Sequence, residues 1–508
     1  MRPYNDYNAY YGDLHNHCGI SYGHGPLAAA FANARLRLDF CSVTGHAHWP
    51  DMPEPSPQVQ PIIDFHLEGF EKLRKGWADV LRQTREADEP GRFIVFPGFE
   101  MHSGEYGDVT IVYREIAGNL VYADSLPGLK TTLREECGDA NDAIVMPHHL
   151  GYRRGARGIN WDGFTEAMSP LVEIVSMHGC SETDESPRPF LHTMGPLDGD
   201  STVRRGLAMG RVFGLTGNTD HHSGHPGSYG HGMTGVWAPS LSRADLWEAF
   251  RARRAWAMTG DRIALRFALN DAPMGAAIDG GESARHIAID VDAGGAIDYV
   301  DLVKNNRLLK RWSQTDVESA PIGDTIRTKL FLEVGWGNRE DEHAWDVDLG
   351  IDDGRIVAVE PRFRGADVVK PTDREKADAA EDFSPSSWRR EGERAVHFNT
   401  VTRGNPNNFT PRMQGMCLEI EAPRTAQVRA RFDDQQVAIP IERLIEGSKS
   451  GNLGPIDTPA WRFHRLPRPD ELRWSLSLVD NEPERALGGR DVYYVRVRQR
   501  NDQWAWSS

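Results

Sequence analysis

Five short apolar runs in the first half of the chain each end in a histidine or a carboxylate, and this recurrence constrains the fold more than any other feature. Tyr10-Tyr11-Gly12-Asp13-Leu14 leads into His15-Asn16-His17, and residues 39–45 lead into His46-Ala47-His48. Residues 92–99 end at Glu100, residues 143–147 at His148-His149, and residues 212–219 at Asp220-His221-His222. In an extended strand, residues i and i+2 face the same side, so His15 and His17 can offer two imidazoles to one ion. A lone His-x-His pair is a weak signal, because a strand-end histidine is commonly a hydrogen-bonded rim residue. Five such ends in chain order point to a metal site instead. Imidazoles mixed with carboxylates suit Zn, Mn or Fe, two or three divalent ions in all.

The runs are rich in Val and Ile, as strands buried on both faces are. Strands are predicted at 10–17, 39–45, 92–100, 108–113, 143–148, 171–177 and 212–219. Helices are predicted at 26–37, at 58–86 with its apolar residues near helical spacing, and at 242–254, where Ser242 and Asp245 resemble a capping box. Alternating strands and helices imply an α/β fold, a parallel sheet or TIM-like barrel whose strand ends gather at one face. After about residue 262 the pattern changes. Residues 262–269, 286–292, 299–304 and 493–499 alternate in type, which predicts an all-β, sandwich-like C-terminal region. Fifteen of the 19 histidines lie at or before His231. The boundary is therefore drawn as 1–262 and 263–508. The charge-dense stretch 370–394 is read as an exposed loop.

Composition limits the partners. The chain has 508 residues and a formal charge of -16, with a pI near 5.6 and a mean hydropathy of -0.54. Nucleic acid as a main partner and an anionic membrane surface both require basic patches, so neither is expected. No apolar run approaches the roughly 18 residues of a membrane span. The five cysteines are widely spaced without a CxxC pair, which predicts a reducing, cytoplasmic setting.

On these motifs the chain resembles the polymerase-and-histidinol-phosphatase (PHP) superfamily of metal-dependent phosphoesterases over residues 10–262. The segments Gly232-Met-Thr-Gly-Val, Trp256-Ala-Met-Thr-Gly and Ala505-Trp-Ser-Ser resemble a branch with a C-terminal β-rich extension. The resemblance implies a distorted seven-stranded β/α barrel with a trinuclear site. It implies His15 and His17 on the first metal, closed by Asp220; Glu100 bridging to a second held by His148; and His46 with His222 on a third. It places a further ligand at His178, with Cys180 and Glu173 behind it, and another at His24. Two positions depart from the pattern. Gly45 stands where the superfamily usually has Asp, with His48 or Asp51 able to compensate, and His149 competes with His148.

The chemistry expected is hydrolysis of a small anionic phosphoester by a metal-bridging hydroxide. Asp220 would orient the nucleophile and His221 or His225 would protonate the leaving oxygen. Arg153, Arg154 and Arg157, on a Gly-rich loop after His149, suit recognition of phosphate or carboxylate, and an ordinary solvated loop is the competing reading. Trp49, Tyr152 and Trp161 offer a stacking wall. The alternatives are a metal hydrolase or lyase acting on an ester, amide or sugar linkage, and a ligand-binding or assembly protein built on the C-terminal β region.

Overall fold

A computed structural model describes residues 1–139, 142–279, 284–318, 321–339, 341–366 and 382–508. The fold is mixed α/β, with many sheets and few helices among the described residues. The first half contributes β1 (Asn8–Asp13), β2 (Phe40–Cys41), β3 (Thr44–His48), β4 (Ile94–Val95), β5 (Gly98–Met101), β6 (Val109–Tyr113) and β7 (Ala143–Pro147). It continues with β8 (Leu171–Ser176), β9 (Gly179–Cys180), β10 (Gly214–Gly217), β11 (Met233–Ala238) and β12 (Ala255–Met258). Its α-helices are α1 (Leu27–Arg35), α2 (Gln60–Ala87), α3 (Leu126–Cys137), α4 (Val203–Ala208) and α5 (Arg243–Arg251).

The predicted strands form, but not as one parallel sheet. They divide among a sheet ordered β3-β5-β6-β7, one ordered β10-β8-β9, and a nine-stranded sheet that ends β12-β11-β1-β2-β4. Among the described residues, parallel pairing is confined to β1 with β2, β2 with β4, β3 with β5, and β8 with β10. The β5–β6 pair is antiparallel. A parallel return needs a crossover of a dozen or more residues, and only the short segment 102–108 joins these two strands.

Helix α2 turns one apolar face inward, burying Leu73, Trp77 and Val80 against β3 and its neighbours. At α5 the Ser242 side chain accepts a hydrogen bond from the Asp245 amide at 3.2 Å. The Asp245 carboxylate turns instead to the Ser240 hydroxyl, so half of the expected box forms. Helices α3 and α4 were not anticipated from the sequence.

The second half is dominated by antiparallel strands. Two five-stranded sheets, one centred on Thr325–Trp336 and the other on Glu342–Ile351, share an apolar core that includes Leu330, Leu332, Val347, Leu349 and Phe398. Of the stretch read as a loop, residues 370–381 lie outside the described residues. Ser387–Glu391 is a strand paired with Ala395–Arg403. Its charged residues decorate the outside of an edge strand, and Trp388 turns inward to donate to the Leu36 carbonyl at 3.0 Å.

The two halves are joined by hydrogen bonds. Strand Trp504–Ser507 pairs with β12, and Tyr493–Gln499 pairs with Trp504–Ser507. A buried charge network adds to this. Arg362, 1% exposed, lies 3.0 Å from Asp261 and 3.1 Å from Glu360. Arg37 lies 3.2 Å from the other Glu360 oxygen, and the Tyr229 hydroxyl donates to Asp261 at 2.7 Å. Among the described residues, no helix is long and apolar enough to cross a membrane.

Candidate metal centre

His15 and His17 lie just beyond β1, in a segment pinned to the chain after β10. The Asp220 amide donates to the His15 carbonyl and the His17 amide to the His221 carbonyl, both at 2.8 Å. Buried Asp13 fixes the base of this junction, accepting from the amides of His15, Thr219 and Gly227. The two imidazoles converge, with their Nε2 atoms 3.2 Å apart.

Glu100, on β5, is the centre of the cluster. Its Oε2 is 3.2 Å from Nε2 of both His15 and His17, and 3.8 Å from Nε2 of His46. Its Oε1 is 3.0 Å from His102 Nδ1 and 3.4 Å from His148 Nε2. Asp220 forms the second acidic pole. Its Oδ1 is 3.0 Å from His17 Nε2 and 3.4 Å from His15 Nε2, and its Oδ2 is 3.0 Å from His178 Nε2. Asp220 has φ 51 and His149 φ 30, left-handed conformations of the kind that functional sites retain. Among the described residues, donor atoms lie within 4.8 Å of one another in five overlapping groups. These are His17-His46-His222, His15-Glu100-His148, His15-His17-Asp220, His46-Glu100-His102 and Asp108-His148-His149.

Outer partners orient the rings. Glu173 holds His15 Nδ1 at 2.8 Å, Ser21 holds His46 Nδ1 at 3.0 Å, Thr110 holds His148 Nδ1 at 2.9 Å, and Tyr152 holds His178 Nδ1 at 2.6 Å. The opposite nitrogens of these rings face the carboxylates, an arrangement typical of metal-ligating histidines. His148 Nε2 is buried without a hydrogen-bond partner among the described residues.

The electrostatics agree with this donor set. Burial opposes ionisation of Glu100, but the imidazoles of His148, His46 and His102 outweigh it and hold the carboxyl well below its usual range. Burial likewise opposes ionisation of Asp220, and His15 and His178 outweigh it. Burial, reinforced by the nearby His17, keeps His46 and His222 well below the usual imidazole range. At His15 and His17 burial opposes protonation, but Asp220 with Glu173 at the first ring, and Asp220 with Glu100 at the second, outweigh it and push both upward. Ionised carboxylates and neutral imidazoles are the forms that bind cations, so the donor set fits divalent ions that would displace the protons of His15 and His17 on binding.

Several expected residues lie elsewhere. The His24 ring belongs to none of the five donor groups, although its amide donates to the His222 carbonyl at 2.7 Å. The left-handed turn at Asp220 sends His221 to the opposite side. There its Nδ1 accepts from the Ser223 amide and its ring stacks on His231 at 5.4 Å. His225 lies with that second set, 6.3 Å from His221. The arginine loop splits. Arg157 turns inward, its Nε 2.7 Å from Asp108 and its guanidinium over Trp49 at 5.2 Å. Arg154 pairs with exposed Asp162, and Arg153 is exposed. His48 bonds the Ala123 carbonyl and Asp51 caps the turn at 103–105, so neither joins the cluster.

Gly45 faces helix α2. A Cβ there would lie 2.8 Å from Leu73 Cδ1 and 3.1 Å from Ile20 Cγ1. A carboxylate at 45 would point away from the cluster, and Ser21 supplies the ring-orienting contact to His46. Ser21→Ala is expected to weaken one metal ion's binding by about 10–100-fold, read by competition with a chromophoric chelator. Unchanged affinity for every ion would exclude this role for Ser21.

Sequence reasoning missed His102, Asp108, Tyr22 and His192. His102 stands two residues after Glu100, the same spacing as His15 and His17, and that signal was available. Tyr22 stacks on His46 at 3.6 Å and its hydroxyl is 2.8 Å from His102 Nε2. The His192 ring lies 4.8 Å from His178, on the exposed side.

A family model described as a protein of unknown function, DUF3604, matches residues 219–274. An uncharacterized protein of Chlamydia pneumoniae is 28% identical over 251 residues, 46% of this chain and 40% of its own length. An uncharacterized protein of Chlamydia trachomatis serovar D is 29% identical over 258 residues, 45% of this chain and 40% of its own length. The chain thus spans less than half the length of the curated relatives it matches. A solved two-domain protein from Bacteroides vulgatus, described as containing a predicted PHP-like metal-dependent phosphoesterase, aligns over 86% of this chain and 96% of its own. The identity is 12% and the TM-score 0.32.

Proposed function

We propose that the chain is a metal-dependent hydrolase and, within that class, a phosphoesterase acting on a small anionic substrate. The observation that carries this reading is the convergence of buried His15, His17, His46, Glu100, His148 and Asp220 with half-buried His222 in one cluster, drawn from five separate strand ends. In this reading His15, His17 and Asp220 would hold one ion, His148 a second with Glu100 between the two sets, and His46 with His222 a third. His178, in contact with Asp220, joins the first. His24 stays outside the set, and His102 adds a ligand beside Glu100. Bound divalent ions would lower the pKa of water and neutralise an anionic oxygen.

The chain's own groups do the rest. Asp220 accepts a proton at a carboxylate oxygen or orients the attacking water. The Met194 amide donates to His192 Nδ1 at 3.2 Å, so the neutral ring carries its proton on Nε2 and can donate a hydrogen bond to a leaving oxygen. His192 takes the place beside the leaving oxygen expected of His221 or His225, as a hydrogen-bond donor, and the leaving oxygen takes its proton from water. Arg157 is the arginine placed to meet an anionic group. Backbone bonds from Val145 to Met168 and from Asp220 to His15 support reading the three first-half sheets as one distorted barrel. Residues 1–262 then carry the chemistry and residues 263–508 brace it. Arg364 and Gly365 hold the loop at Ser228–Tyr229, while Arg496, Tyr494 and Trp506 converge on buried Glu182.

One observation favours the second reading, a non-phosphate ester, amide or sugar bond. Arg157 is already charge-paired with Asp108, which leaves little net positive charge for a phosphate dianion. Phosphate release from a panel of mono- and diesters separates the two. Turnover is expected to stop on chelation and return with Mn²⁺ or Zn²⁺. Metal-dependent hydrolysis of other bonds without any phosphate release would overturn the first reading, and inertness of the metal-loaded protein toward both classes would overturn both.

A further inference from the structure

A cavity of about 1250 Å³ opens at the far end of β10 from Asp220. Arg211 and Phe213 line it just before β10, Arg253 at the turn into β12, and Phe267, Leu478 and Arg490 from the β-rich half. Its walls are partly apolar, with Phe213 and Phe267 both buried. Its charge runs against the rest of the molecule. Acidic residues outnumber Lys and Arg by 74 to 58, and buried arginines elsewhere find carboxylates, as Arg37, Arg254 and Arg362 do. Among the described residues, Arg211, Arg253 and Arg490 form no ion pair. Five arginines line it against three aspartates, Asp271, Asp279 and Asp491; Asp491 is engaged by Arg285 at 2.8 Å, and exposed Glu166 accepts from the Val212 amide.

The individual arginines sharpen the case. Arg211 Nε is buried with no hydrogen-bond partner. Arg253 spends Nε on the Gly275 carbonyl at 2.9 Å, and no described residue accepts from its two terminal nitrogens. Its φ is 61, the left-handed conformation that favours glycine after a helix, yet a long cation occupies the position. An unpaired guanidinium drawn out of water is costly without an anion to meet it.

We propose that this cavity binds a small amphipathic organic anion, its carboxylate, sulfonate or phosphate head between Arg211 and Arg253 and its apolar body against Phe213, Phe267 and Leu478. The site is separate from the metal cluster and does not depend on its chemistry. The test is a fluorescence titration of the full chain with 8-anilinonaphthalene-1-sulfonate, beside uncharged N-phenyl-1-naphthylamine. Saturable one-to-one binding of the sulfonate is expected, unchanged by chelator. The neutral probe and the Arg211→Gln/Arg253→Gln variant should each raise Kd by roughly tenfold or more. If the double variant fails to fold, Arg253→Gly, which suits the left-handed backbone, carries the same expectation. Absence of saturable binding, equal affinity for both probes, or a Kd unmoved by the substitutions in folded protein would overturn the proposal.

Discussion

Glu100→Gln is expected to cost the protein at least one bound metal ion per chain and to lower hydrolysis by about 10³-fold, equivalent to about 4 kcal/mol of transition-state stabilisation. Both Glu100 oxygens are used, against His15, His17 and His46 on one side and His102 and His148 on the other. Glutamine keeps the volume but removes the charge and one acceptor, leaving Asp220 as the one carboxylate facing His17. Elemental analysis after gel filtration reads the metal, and circular dichroism reads the fold. His24→Ala makes the discriminating control, because its ring lies outside every donor group. Metal content should fall in the first variant and hold in the second. Full metal content and activity in Glu100→Gln would remove Glu100 from the centre of the site.

Arg362→Met is expected to destabilise the fold by about 3–5 kcal/mol, because it leaves Asp261 and Glu360 buried without their shared partner. The melting temperature should fall on the order of 5–10 °C. The pH dependence is a second readout. Burial opposes ionisation of Glu360, but Arg362 and Arg37 outweigh it and hold the carboxyl at about 2, against an ordinary 4.5. A carboxyl depressed in this way stabilises the fold fully above its unfolded value and loses that contribution as pH falls through the folded one. Melting of the parent protein should therefore drop between about pH 5 and pH 2, more steeply than that of Arg362→Met. Parallel profiles with little offset would show that the network contributes little. Tyr229 bonds Asp261, so the loop that follows His222 should loosen as well.

The strand ends were legible because strands buried on both faces read as unbroken apolar runs, and the donors begin where each run stops. His15, Glu100, His148 and Asp220 all stand at such a break. His102 stands at the same break as Glu100 and was legible there, but Asp108 and Arg157 stand at none. They reach the cluster by loops that return to it, and periodicity carries no information about a return. The β/α pattern over-reached at β5 and β6, where the shortness of 102–108 already forbade a crossover. The resemblance told His222 from His221, as ligand and proton donor, but both were expected at one site, and the positive φ at Asp220 puts them on opposite sides. The charge network around Arg362 was also hidden, since its members are spread from Arg37 to residue 362 and each looks like an ordinary surface charge in its own stretch.

The pairing of β12 with Trp504–Ser507 sets a timetable. A ribosome finishes β12 about 250 residues before it makes that partner, a wait of about 10–50 s at ordinary elongation rates. Throughout that interval an apolar strand, with Trp256 and Met258 on it, offers unpaired backbone groups to any neighbouring chain. Production of this protein should be governed less by the final stability of the fold than by what occupies that edge while synthesis continues.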